Sequence, residues 1–183
     1  VTADMTSMPA AAAIIGAAPT RRRLLFVVGA AVLLVDVGTK SLAVGLLEPG
    51  HAVSLVGDRL VCVLTRNAGA ALSIAAGNAV LLSVAVLITV VAVGALGWRV
   101  RSAGWALGLG MVLGGATGNL VDRVFRSPGP LRGQVVDFLA IGWGPVFNVA
   151  DFAVLGGVIC LITLSLIGSP LGSANQKTRS SAG

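Results

Sequence analysis

The sequence predicts an all-α integral membrane protein with four transmembrane helices and a small extracytoplasmic β element, on three observations. Of 183 residues, 56% are hydrophobic and 11% charged, where soluble domains carry roughly 25% charged residues. The mean hydropathy is +0.95, and 25 glycines are scattered through apolar runs, a usage common in helices surrounded by lipid. The charges punctuate long apolar stretches instead of covering a surface. These features exclude a soluble globular domain and a disordered chain. The net charge of +6, which in a soluble protein would point to nucleic acid, here belongs to the flanks of spans, so no nucleic-acid partner is expected. Cys62 and Cys160 have neither the density of a disulfide scaffold nor zinc-site spacing, and no role is assigned to them.

A span needs about 20 mainly apolar residues to cross roughly 30 Å of hydrocarbon. The first runs from Leu24 to about Leu47, behind Arg21, Arg22 and Arg23, with Asp36 and Lys40 inside it. The second is Ala79 to Trp98, the third Ala103 to Val121, closed by Asp122 and Arg123, and the fourth about Val146 to Gly168, with Asp151 near its start. Residues 1–23 read as a cytoplasmic, disordered extension, since positive charge follows the apolar Ile14 and Ile15 instead of preceding them as in a signal peptide. Residues 169–183 read as a cytoplasmic tail, leaving 24–168 as the membrane domain. Between Glu48 and Arg66, the alternation of Val53, Leu55, Arg59, Val61, Val63 and Thr65, with turn signals at Gly50 and Gly57-Asp58, predicts short strands on the outer membrane surface.

Cytoplasmic flanks retain Lys and Arg in excess, and the first span usually dominates orientation. The triple arginine therefore predicts both termini and the loop between spans two and three in the cytoplasm, with Arg99, Arg101, Lys177 and Arg179. Segments 48–66 and 122–145 then lie outside. That topology gathers Asn67, Asn119, Asp122, Asp137, Asn148 and Asp151 at the outer end. Ionisable groups at membrane depth are costly and mark function by default.

Asn119 and Asp122 are three apart, as are Asn148 and Asp151, so each pair shares a helix face if the helix runs through it, and the two pairs can face one another. The alternative is that Asn148 only caps span four and Asp122 lies in solvent. Asp36 and Lys40, four apart, can neutralise each other as a structural pair. His51, the single histidine, reads as a surface residue. No Gly-x-Ser-x-Gly elbow, His-Glu-x-x-His motif or phosphate-binding loop is present, so no metal or cofactor is expected. Carboxylates remain as acid and base. Two that share a proton can hydrolyse an amide, because neighbouring like charges push their pKa values apart.

Five blocks in order resemble the lipoprotein signal peptidases, or type II signal peptidases. These are Asp36-Val-Gly-Thr-Lys40, Asn67-Ala-Gly-Ala-Ala-Leu-Ser73, Gly114-Gly-Ala-Thr-Gly-Asn-Leu-Val-Asp-Arg123, Gly133-Gln-Val-Val-Asp-Phe138 and Phe147-Asn-Val-Ala-Asp151. The resemblance implies a bacterial inner-membrane aspartyl endopeptidase with four helices and an outer β-cradle. It would cut lipid-modified prolipoprotein substrates, presented within membrane lipid, ahead of the diacylglyceryl-modified cysteine. It implies a catalytic pair at Asp137 and Asp151. Asn67, Asn119, Arg123, Asn148 and Ala150 match positions that shape the site or contact substrate, and Asp122 matches a supporting position that rivals Asp137. The chain departs from the family pattern at Val37, where Gln is common, and in the long, Pro-rich stretch from Arg126 to Arg132. A turn at Gly142-Trp143-Gly144-Pro145 would return the chain to the membrane after Asp137. A small proton-coupled transporter is the competing reading; it would place the working acid at Asp36. Which prolipoproteins are cut, and the oligomeric state, are not fixed by the sequence.

Overall fold

The computed structural model describes residues 20–69, 78–142 and 144–172. The expected disordered extension up to residue 19, residues 70–73 of the second block, Trp143 at the predicted turn and the tail beyond residue 172 lie outside the described residues. Four helices form, α1 (Arg22–Leu46), α2 (Ala79–Leu96), α3 (Ala103–Phe125) and α4 (Val149–Leu166). Each is long and apolar enough to cross a membrane. Their outward faces carry Leu34, Leu81, Ile88, Leu155 and Ile162, all more than half exposed, as expected of surfaces solvated by acyl chains.

Helix α3 is the centre of the bundle, packed extensively on α1 and α4 and less so on α2. Lipid offers no hydrophobic drive for helix association, so close backbone approach through small residues does the work. A Cβ on Gly110 would meet Leu25 O of α1 at 2.7 Å, and one on Gly108 would meet Leu161 Cδ2 of α4 at 2.9 Å. Two faces of one helix thus admit two neighbours at backbone contact.

A four-stranded antiparallel sheet crowns one end, in the order β1 (Val53–Val56), β2 (Leu60–Asn67), β3 (Val135–Ile141), β4 (Val146–Phe147). The first two strands fall where alternation predicts them. The register of β2 on β3 sets Thr65 opposite Asp137 and Asn67 opposite Val135, after an irregularity between Cys62 and Thr65. At the opposite end, Leu25, Val100, Ala106 and Leu109 form a buried cluster. There the start of α1 joins the α2–α3 turn through Arg21 N–H to Val100 O, 2.7 Å, and Arg22 stacks 4.5 Å over the Trp98 ring.

Several boundaries differ from the sequence reading, the first being α1, which starts at Arg22 inside the expected 1–23 extension and not at Leu24. Helix α3 runs on through Asp122 and Arg123 to Phe125, because Asp122 finds cationic partners inside the protein in Lys40 and Arg126. Asp137 sits in a strand, not a loop, and Val146-Phe147 pair with β3 instead of opening the fourth helix. Residues 169–172 dock on the bundle, where Ser169 O accepts from Trp105 Nε1 at 2.9 Å and Leu171 O accepts from Arg101 N–H at 3.0 Å.

Candidate active site

The sheet end of the bundle holds the buried polar residues, and they are arranged around one ammonium. Lys40 is fully buried, and its Nζ lies 2.7 Å from Asp36 Oδ2 and 3.0 Å from Asp122 Oδ2 and donates to Asn119 Oδ1 at 2.8 Å. One hydrogen bond and two ion pairs thus surround it, the company in which a buried ammonium is tolerated. Asp36 also accepts the Ala150 N–H at 2.9 Å, fastening the start of α4 to α1. Asp122, which the sequence left between solvent and site, is buried and pairs with Arg126 as well as Lys40. It further accepts the Val136 N–H at 3.1 Å. Its oxygens are thus committed to holding α1, α3 and β3 together.

This framework fixes the orientation of three asparagines. A carboxamide is placed by whichever neighbour can only donate or only accept. Lys40 can only donate, so the Asn119 oxygen faces it and Nδ2 is left to donate to Asp151 Oδ1 at 3.1 Å. The Asp151 N–H donates to Asn148 Oδ1 at 3.0 Å, which turns Asn148 Nδ2 to Asp137 Oδ1 at 2.6 Å and to Asn119 Oδ1 at 3.2 Å. Gly69 N–H donates to Asn67 Oδ1 at 2.8 Å, and Asn67 Nδ2 donates to Asp137 Oδ2 at 3.1 Å. All three amides present N–H groups to Asp137 and Asp151.

Asn148 caps α4 in a reciprocal box, with Asp151 Oδ2 accepting the Asn148 N–H at 3.0 Å. Capping and site-building, posed as alternatives by the sequence, are therefore done by one side chain. Asp151 occupies the first turn of α4, where the helix dipole complements negative charge. Asp137 lies on β3 and is 3% exposed. Burial pushes its carboxyl up to about 6; Asp151 adds to the rise, and the hydrogen bonds from Asn67 and Asn148 and the charge of Lys40 oppose it.

Asp137, Asp151, Asn67, Asn119 and Arg123 line a cavity of about 540 Å³, closed on one side by Leu82 and Val86 of α2 and on another by Pro145 and Phe147. Arg123 is buried, and its Nη1 has no hydrogen-bond partner among the described residues. A second, apolar cavity of about 460 Å³ runs between α2, α3 and α4, lined by Thr89, Val112, Ala116, Val154 and Val158, and shares Val86, Asn119 and Asp151 with the first. A lipid-depth groove thus ends at the carboxylates.

The structure brings every site residue singled out in the sequence to this end of the bundle. Within it, Asp36, Lys40, Asp122 and Ala150 are tied into the framework, while Asp137 and Asp151 face the cavity. Sequence reasoning missed Arg126 and the Val136 N–H as partners of Asp122; only the i, i+4 spacing of Arg126 could have signalled the first. His51 is exposed beside Glu48. Among the described residues no group of three or more His, Cys, Asp or Glu could hold a metal ion.

The sequence profile of a family described as signal peptidase (SPase) II matches residues 28–167. A lipoprotein signal peptidase of Mycolicibacterium smegmatis is 58% identical over 153 residues, covering 83% of this chain and 65% of that protein. One from Mycobacterium avium is 52% identical over 161 residues, covering 88% of each, and one from Mycobacterium tuberculosis is 55% identical over 152 residues, covering 83% of this chain and 75% of its own. A bacterial membrane enzyme solved by the in meso method at 2.3 Å superposes with a TM-score of 0.73 at 23% identity, over 87% of this chain and 99% of that one.

Proposed function

The chain belongs to the signal peptidase II family, and from that premise we propose how its residues perform the reaction. It is an aspartic endopeptidase of the bacterial membrane that removes signal peptides from prolipoproteins. Asp137 and Asp151 are the hydrolytic pair, and the observation that carries this is that Asn148 donates to both carboxyls, from Nδ2 to Asp137 and from its backbone N–H to Asp151, where the apolar groove meets the polar cavity. Asp36 and Asp122, the other buried acids at this end, are engaged by Lys40, which ties up the acid that the transporter reading would need.

Asp151, backed by the α4 N-terminus and the Asn119 and Asn148 donors, is the ionised member. It takes a proton from water as the water oxygen bonds to the scissile carbonyl carbon. Asp137, whose carboxyl burial keeps protonated to higher pH, donates a hydrogen bond and then its proton to the carbonyl oxygen. The tetrahedral diol collapses with proton transfer to the leaving nitrogen, the C–N bond breaks, and the pair is restored with one proton. Arg123, which lines the cavity, donates to a substrate main-chain carbonyl. The apolar groove suits a signal helix entering sideways from the bilayer, with the diacylglyceryl group of the modified cysteine left in lipid. The site faces outward and both termini are cytoplasmic, as the triple arginine before α1 supports.

The test is cleavage of a diacylglyceryl-modified prolipoprotein in detergent, read by gel shift. Asp137→Asn and Asp151→Asn should each lose about a thousandfold or more in rate while unfolding at temperatures within a few degrees of the parent. Asp122→Asn should instead lower thermal stability, since it removes the carboxylate charge that pairs with both Lys40 and Arg126. Retained cleavage by a folded Asp151→Asn protein would refute the mechanism.

A further inference from the structure

Helix α2 supplies one wall of both cavities, through Leu82 and Val86 in the site and Val86 and Thr89 in the groove. It is also the helix least engaged with the bundle. It packs on α3, has no extensive contact with α1 or α4 among the described residues, and has Ser83 as its single fully buried residue. A buried serine on a lipid-facing helix needs an acceptor.

The Ser83 hydroxyl has two within reach, Ala79 O at 2.8 Å and Leu131 O at 2.7 Å. Ala79 O is the i−4 carbonyl that the helix ladder already engages. Leu131 O belongs to another part of the chain, in the loop from α3 to β3. Leu131 has φ 62°, in the left-handed region that a leucine adopts only when its surroundings hold it there.

That loop is anchored at its other side. Gly133 N–H donates to Arg123 O at 3.0 Å and Gln134 N–H to Ser127 O at 3.2 Å, and a Cβ on Gly133 would press on the carbonyls of Asp122, Arg126 and Arg123. The next residues are Val135, whose side chain lines the cavity, and Val136, whose N–H is held by Asp122. Asp137 follows. One hydroxyl therefore ties the α2 wall to the strand that carries a reacting carboxyl.

We infer that Ser83 is a positioning residue that sets how far the α2 wall stands from Asp137, and so the fit of the substrate main chain in the cleft. The inference rests on the proposed peptidase reading. Its effect belongs to substrate capture, since Ser83 touches neither Asp137 nor Asp151. Without the hydroxyl, α2 keeps its place in lipid, while the spacing between wall and strand is no longer fixed.

The experiment is steady-state cleavage of a diacylglyceryl-modified prolipoprotein by the full chain in detergent, comparing the parent with Ser83→Ala and Ser83→Thr, alongside thermal unfolding. The Ala variant should raise KM about three- to tenfold, the effect of one net hydrogen bond, with kcat within about twofold and unfolding temperature near that of the parent. The Thr variant keeps the hydroxyl and should restore KM. An unchanged KM in Ser83→Ala, a parallel fall of kcat and unfolding temperature, or a Thr variant no better than Ala would overturn the inference. Absence of cleavage by the parent would instead count against the peptidase reading, so the two failures are distinguishable.

Discussion

At Asp137 the fold opposes its own carboxylate. Burial, with Asp151 nearby, lifts the group from the ordinary 3.8 to about 6, against two amide donors and the Lys40 charge. A carboxyl raised in this way contributes stability that is complete below about pH 3.8 and lost as pH rises through about 6. At pH 7.5 that loss amounts to about 3 kcal/mol. Asp137→Asn removes it, but an amide cannot accept from both Asn67 and Asn148, and one unsatisfied donor costs about 1–2 kcal/mol. The variant should therefore be inactive yet about 1 kcal/mol more stable than the parent at pH 7.5, with an unfolding temperature flat between pH 4 and 7 where the parent's falls. Thermal scans in detergent across that range check it, and an unfolding temperature that falls equally in both proteins would contradict it. For the parent, kcat/KM should decline as pH climbs past about 6, because that ratio reports protonation of the free enzyme. None of this was legible in the sequence, since the shift arises from burial of Asp137 and from Asp151 on α4, set against Asn67 on β2, Asn148 at the cap of α4 and Lys40 on α1, groups that only the fold brings together.

Among the elements, α3 carries the most specific packing demand. A Cβ on Gly114 would press on Gly29 O and Val32 of α1, one on Gly115 on Ala150 O of α4, and one on Gly118 on the Asp36 carboxylate. The last displaces a charge, so its damage should reach the site. Gly118→Ala is expected to cost about 1–3 kcal/mol by overpacking and to depress cleavage more than Gly114→Ala does, because Asp36 positions Lys40 and Ala150. Gly38→Ala, on an exposed face with nothing within 4 Å, is the neutral control. Unfolding temperature and cleavage rate measured together separate these outcomes; Gly118→Ala behaving like Gly38→Ala would show that Asp36 has room to move. The four helices were legible because hydropathy over 18 or more residues depends on local composition alone. Strand β3 was not, since Val135–Ile141 is largely buried on both faces and has no alternation to detect. The end of α3 was misread for a related reason: Asp122 and Arg123 look like a span boundary until Lys40, from a distant helix, is known to neutralise one of them.

For the whole molecule, the two ends of the bundle differ in charge as well as in structure. One end gathers Arg21, Arg22, Arg23, Arg99 and Arg101 around the α1 start and the α2–α3 turn; the other holds the sheet and the aspartates. Four spans return both described ends of the chain to the same side, so a single orientation fixes every loop. Basic residues are retained in the cytoplasm, and a triple arginine directly before the first span is the strongest form of that signal. The sheet end should then face outward, where lipoprotein precursors emerge with their signal helix still in the bilayer. Single cysteines introduced after replacing Cys62 and Cys160 by alanine give the test. Asp58→Cys, in the exposed β1–β2 turn, should react with a membrane-impermeant thiol reagent on intact spheroplasts. Gly172→Cys, exposed beyond α4, should react only after permeabilisation. The reverse pattern would put the aspartates at the cytoplasmic face and remove the route by which a lipid-modified precursor reaches them. Under the proposed mechanism the orientation matters as much as the carboxyl pair, because a signal helix lodged between α2, α3 and α4 would meet Asp151 at the sheet end of the bundle.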